Sequence, residues 1–131
     1  MKIRITSFWP GIIALAIATT LFCLPGQEFP RINWLDKIHF DKIAHIGLFS
    51  VLVFLWILPP RSRITDKKKI NSIYLWIAIA FVAYGIAIEF IQLNFVAHRA
   101  FDFFDIVANT VGCALGGLVA SKIPEVQANG Q

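Results

Sequence analysis

Residues Phe101 to Ala120 read FDFFDIVANTVGCALGGLVA. Almost every position is apolar, and about 20 such residues in a helix cross the hydrocarbon core of a bilayer. The polar exceptions are ordered. At about 100° per residue, Asp102, Asp105 and Asn109 share one face, and Gly112 and Gly116 continue that stripe. Small residues four apart let a neighbouring helix approach closely inside a membrane. The stretch predicts a transmembrane helix over residues 101–121 whose polar and small face is turned toward other helices.

Three further apolar runs precede it. Phe8 to Leu24 follows Lys2 and Arg4 and ends at Pro25-Gly26. A basic start and a short apolar core also suit a secretory signal, but no small-x-small cleavage site closes the run. Phe22 stands before Cys23, where a lipoprotein signal needs a small residue, so an uncleaved helix is expected. Ile43 to Leu58 is opened by Asp41-Lys42 and closed by Pro59-Pro60, and Ile73 to Leu93 is the third run. The expectation is an all-α, four-helix transmembrane bundle in one domain, residues 1–131, with helices near 8–24, 41–58, 72–93 and 101–121.

Composition agrees. The chain is 57% hydrophobic and 15% charged, with a mean hydropathy of +0.68. A water-soluble fold of this size has too little interior to hide that surface. The net charge of +4 does not imply nucleic acid, because the basic residues concentrate at the N-terminus and in one short loop. Lys2, Arg4, Arg61, Arg63, Lys67, Lys68, Lys69 and Lys122 fall on one side of the bundle. Only Arg31, Lys37, Lys42 and Arg99 fall on the other. Loops rich in Lys and Arg stay in the cytoplasm, which predicts both ends inside a multi-pass protein of the cytoplasmic (inner) membrane. Trp9, Trp56 and Trp76 then lie near the inner interface and Trp34 in the outer segment. Cys23 and Cys113 sit at different depths, so no disulfide is expected.

Polar residues gather at the predicted outer face: Asp41, Lys42 and His45 on the second helix, Glu89 and Gln92 on the third, and Arg99, Asp102, Asp105 and Asn109 leading into the fourth. Gly85 shares a face with Glu89 and Gln92. Ionisable groups in a membrane are costly, about 2.5–3.5 kcal/mol each at mid-depth, so they face inward and pair. Four acids here meet two permanent bases and one histidine. Glu89, Asp105 and His45 are therefore candidates for acid–base chemistry. Lys42, Gln92, Arg99 and Asn109 are candidates for ligand binding. Asp41 and Asp102 can equally cap helices, with Gly85, Gly112 and Gly116 packing them. No paired-histidine or H-E-x-x-H spacing occurs, so neither a metal site nor a cofactor is expected. No nucleophile motif or phosphate-binding glycine loop is present.

Taken together, Asp41-Lys42-x-x-His45-x-x-x-Phe49, Glu89-x-x-Gln92 and Arg99-x-x-Asp102-x-x-Asp105-x-x-x-Asn109-x-x-Gly112-x-x-x-Gly116 resemble the VanZ-like membrane proteins. These are named after an accessory protein of bacterial glycopeptide (teicoplanin) resistance. Two features depart from the pattern: Ala97-His98 stands where relatives often have Pro-Gly, and Ile46 where they often carry an aromatic ring. The resemblance implies a small bacterial cell-envelope protein with an outward polar site and a link to antibiotic resistance. It supplies no reaction. The function expected is binding of a polar or lipid-linked head group, such as a cell-wall precursor. A membrane-embedded acid–base enzyme and a structural partner of a membrane complex are the alternatives. The bilayer itself is the one partner the composition requires, and no oligomeric state follows from it.

Overall fold

The computed structural model describes residues 5–25 and 39–123. Lys2, Arg4, Arg31, Trp34 and Lys37, used above for orientation, lie outside the described residues. A 3-10 turn, Ile5–Phe8, leads into α1 (Trp9–Phe22); α2 (Phe40–Arg61), α3 (Lys67–Phe95) and α4 (Phe103–Ser121) follow. Among the described residues there is no strand.

Two helices are longer than expected. α2 runs through Pro59 and Pro60 to Arg61. A proline's fixed φ near −65° suits a helix, so the prolines remove ladder hydrogen bonds in the last turn without ending it. α3 begins at Lys67 because Asp66 caps it, its carboxylate accepting from the backbone N–H groups of Lys68 and Lys69 at 2.9 and 3.3 Å. The lysine run therefore forms the first turn of a helix rather than a loop. Asp41 lies in the first turn of α2, and His39, in a left-handed conformation with φ 51°, is the N-cap.

α2, α3 and α4 are each long and apolar enough to cross a membrane, whereas α1, with 14 residues, is shorter than such a span. Its leading 3-10 turn extends it: four residues at about 2 Å each and 14 at about 1.5 Å come to roughly 29 Å, close to the thickness of a hydrocarbon core. At its start Ser7 Oγ accepts from Arg63, just past the end of α2, and at its end the Phe22 carbonyl accepts from Gln92 of α3.

The chain crosses back and forth, so the start of α1 and the end of α4 share one end of the bundle. Arg61 fastens that end. Its guanidinium donates to the carbonyls of Ser121, the last residue of α4, and Ile123 beyond it, and to the Tyr74 hydroxyl of α3. The interior is a column of Phe49, Leu52, Val53 and Ile57 from α2, met by Phe81 and Ile88 of α3, Ala18 and Phe22 of α1, and Cys113 and Ala120 of α4. The outer faces carry Ile13, Ile17, Leu75, Trp76, Phe90 and Leu118, all exposed. Such a surface suits lipid, in which it costs nothing to leave apolar side chains outside.

α2 and α4 are the most closely packed pair. A Cβ on Gly112 would lie 2.6 Å from the Ile46 carbonyl oxygen, and one on Gly116 would press still harder on that of Ser50. Ser50 Oγ donates to the Gly112 carbonyl at 3.0 Å. By contrast, Gly117 on the same helix has open space around it. Gly116→Leu should therefore lower the melting temperature in detergent by the equivalent of at least about 1–3 kcal/mol, the usual cost of overpacking. Gly117→Ala should leave it unchanged, and equal loss in both variants would remove the close α2–α4 contact from this account.

Candidate functional site

The end of the bundle opposite Arg61 collects the polar side chains. Its centre is Lys42, in the first turn of α2. The ammonium donates to Asp102 Oδ2 at 2.6 Å, to Asp105 Oδ1 at 2.8 Å and to Asp41 Oδ2 at 3.2 Å. An ammonium has three protons, so these three carboxylates take all of them. Lys42, expected to hold a ligand, is committed to joining α2 to α4.

Asp102 holds three elements together. Its Oδ1 accepts from the Phe104 N–H and caps α4, its Oδ2 takes Lys42, and its own N–H donates to Glu89 Oε2 on α3 at 3.2 Å. The Lys42 ammonium keeps the Asp102 carboxyl below the usual carboxylate range, against the opposing effect of partial burial. The sign follows: this link is complete above the ordinary carboxylate pKa of about 3.9 and fades only as pH falls through the lowered value.

One layer deeper, His45, Glu89, Asp105 and Asn109 are buried together, and Glu89 is 0% exposed. His45 Nδ1 lies 2.8 Å from Asn109 Oδ1. An amide oxygen only accepts, so Nδ1 carries a proton and donates it. Nε2 faces Asp105 Oδ2 at 3.8 Å, beyond hydrogen-bond reach. Phe22 of α1 covers the imidazole, its ring centroid 4.7 Å away. Glu89 Oε1 and Asn109 Nδ2 are buried and have no hydrogen-bond partner among the described residues. Gly85 makes room for Asn109: a Cβ there would come within 2.7 Å of Nδ2.

Gln92 is placed differently from the expectation. Its amide donates to the Phe22 carbonyl at 2.9 Å and closes the C-terminal end of α1. Arg99 is half-buried in the loop between α3 and α4, within electrostatic reach of Glu89. Sequence reasoning missed the backbone N–H of Asp102 as a partner for Glu89, and it missed the part that Phe22 plays as a lid. Neither had a signal in residue type. The spacing that puts Glu89 and Gln92 on one face of α3 was the available clue.

Among the described residues, two groups bring three ligating side chains within 4.8 Å: Asp41, Asp102 and Asp105, and His45, Glu89 and Asp105. The first surrounds the Lys42 ammonium, and the second lies one layer deeper.

The loop before α4 contains the other departure from the expected pattern. His98 adopts a left-handed conformation, φ 59°, which a glycine enters freely and a residue with a Cβ enters at a cost of about 1–2 kcal/mol. The loop keeps a glycine-like turn although the residue is histidine. His98→Gly should raise thermal stability in detergent by roughly 0.5–1 kcal/mol. A lower melting temperature would mean that the imidazole itself holds the loop.

The VanZ/LLP1 family model matches residues 6–123, nearly the whole chain. An uncharacterized protein of Schizosaccharomyces pombe (strain 972 / ATCC 24843), C11E3.10, is 37% identical over 110 residues, which cover 82% of this chain and 58% of that protein. The chain thus spans less than two thirds of that relative's length. No solved structure matches.

Proposed function

Because the chain belongs to the VanZ/LLP1 family of membrane proteins, we propose that it serves at the cell envelope as a receptor for the polar head group of a lipid or lipid-linked molecule. The observation that carries this reading is the pair of buried, unsatisfied polar atoms, Glu89 Oε1 and Asn109 Nδ2. Leaving such groups unpaired costs about 1–3 kcal/mol each, and a ligand that supplies both a donor and an acceptor would recover it. Arg99, on the loop over these groups, brings positive charge for a phosphate or carboxylate on that head group. Lys42 supports the site from behind, because its three donors are used within the bundle, and Gln92 gives one amide N–H to the Phe22 carbonyl.

The relative in a yeast narrows the ligand. Yeasts build no peptidoglycan, so a ligand common to both proteins is more readily a phospholipid-type head group than a cell-wall precursor. A role in glycopeptide resistance would be one use of such binding, confined to cells whose envelope contains the drug's target. Acid–base catalysis is the second reading, favoured by the hydrogen bond that occupies His45 Nδ1 and leaves Nε2 facing Asp105.

Vesicle-derived nanodiscs of defined head group test the first reading. A bound lipid at a hundredfold excess over its Kd stabilises by about 2.7 kcal/mol. Wild type should show a head-group-dependent rise in melting temperature, Arg99→Ala should lose the rise while melting close to wild type without ligand, and Asn109→Ala should lose it from a baseline lowered by the broken hydrogen bond to His45. Equal response of all three proteins, or no head-group dependence, would end this reading.

We also infer the orientation from charge. The Arg61 end carries Arg61, Arg63, Lys67, Lys68, Lys69 and Lys122, so it faces the cytoplasm and the polar cluster faces outward. In a background lacking Cys23 and Cys113, Ala97→Cys should react with an impermeant maleimide on intact cells. Ser62→Cys should react only after lysis. The reverse pattern would invert the protein.

A further inference from the structure

We propose that His45, Glu89 and Asp105 form a buried site for a divalent first-row metal ion, zinc or manganese. One ligand atom from each lies within 4.8 Å of the others. Around an ion with bonds of about 2.1 Å, three tetrahedrally placed ligand atoms sit about 3.4 Å from one another, so the side chains close in by up to roughly 1.4 Å on binding. One imidazole nitrogen with two carboxylates suits zinc or manganese better than the all-oxygen shells of calcium or magnesium.

The second observation is how each candidate ligand is held. Metal-binding side chains are oriented by a hydrogen bond on the atom that does not bind the metal. All three have that arrangement. His45 is fixed through Nδ1 by Asn109 Oδ1, Asp105 through Oδ1 by the Lys42 ammonium, and Glu89 through Oε2 by the backbone N–H of Asp102. The atoms left over are Nε2, Oδ2 and Oε1. Each can offer a lone pair to a metal. Nε2 and Oδ2 stand 3.8 Å apart, and Oε1 is fully buried with no partner among the described residues. Three such groups gathered in a buried space leave charge to be balanced, and a cation does so. Lys42 is absent from this deeper group, since its three donors are spent on Asp41, Asp102 and Asp105.

A bound ion would also cancel the net charge of the site. Four carboxylates against Lys42 and Arg99 leave a surplus of negative charge, and a divalent cation neutralises it and offers an anionic head group a local positive centre. The open coordination positions would then take a phosphate or carboxylate oxygen. This last step rests on the head-group reading; the metal site itself does not.

The test uses the full chain in detergent, carrying no polyhistidine tag, stripped with chelator and titrated with zinc and manganese. About one ion per chain should bind, measured by mass spectrometry of the metal, and the melting temperature should rise. Cobalt should give the visible absorption of a nitrogen- and oxygen-bound ion. Glu89→Gln and His45→Ala should each abolish stoichiometric binding. Asn109→Ala, which removes only the outer hydrogen bond, should weaken it about 10–100-fold. The proposal is overturned if wild type holds no ion and gives no cobalt spectrum, because then a proton on His45 or a carboxyl balances the group. It is equally overturned if Glu89→Gln and His45→Ala retain the ion. Metal binding without any head-group response would keep the site and discard only the head-group reading.

Discussion

The backbone of α4 rests directly on that of α2, at Gly112 against the Ile46 carbonyl and Gly116 against the Ser50 carbonyl. The site depends on this contact. Asn109 and Asp105 lie on the same stripe of α4, about one and two turns further along, so the contact brings them opposite His45 and Lys42. Larger residues at the glycines would push the helices apart and lengthen every hydrogen bond above them. Glycine in a helix is entropically poor, and here the packing compensates.

The second governing term is the cost of burying charge. Carboxylates are tolerated at this end of the bundle because each is tied to something: Asp102 to Lys42 and the first N–H groups of α4, Asp105 to Lys42, Glu89 to the Asp102 N–H. The accounting is good at the rim and incomplete below it. A rim of satisfied ion pairs around an unsatisfied interior differs from a packing network, in which polar groups end up paired throughout. The head-group proposal rests on that contrast.

Much of the fold was legible in the sequence because membrane helices declare themselves by length and apolarity alone. The glycine stripe of α4 and the gathering of Asp41, Lys42, His45, Glu89, Asp102, Asp105 and Asn109 followed from helical angles. Helix ends were less legible. Lys67 to Lys69 look like a loop by charge, yet Asp66 turns them into a helix start, and Pro59-Pro60 look like a stop although the helix continues. Roles within the cluster were the least legible. Residue type says that Lys42 and Gln92 can bind a ligand; only three-dimensional contacts reveal that the Lys42 donors go to three carboxylates and that one Gln92 donor goes to the Phe22 carbonyl. The absence of a paired-histidine motif argued against a metal, because sequence motifs capture ligands that are neighbours along the chain. His45, Glu89 and Asp105 come from three different helices.

The attachment of α1 has a consequence for how the protein is made. Thr19 and the Phe22 carbonyl tie it to Tyr84 and Gln92 of α3, while Phe22 packs on His45 and Phe49 of α2, and the closest packing in the bundle joins α2 to α4. α1 and α2 can therefore pair early, but they leave the translocon before the helices that complete their polar contacts have emerged. Assembly is then a late, cooperative event triggered by α4, and the polar cluster comes into existence only when the last helix arrives.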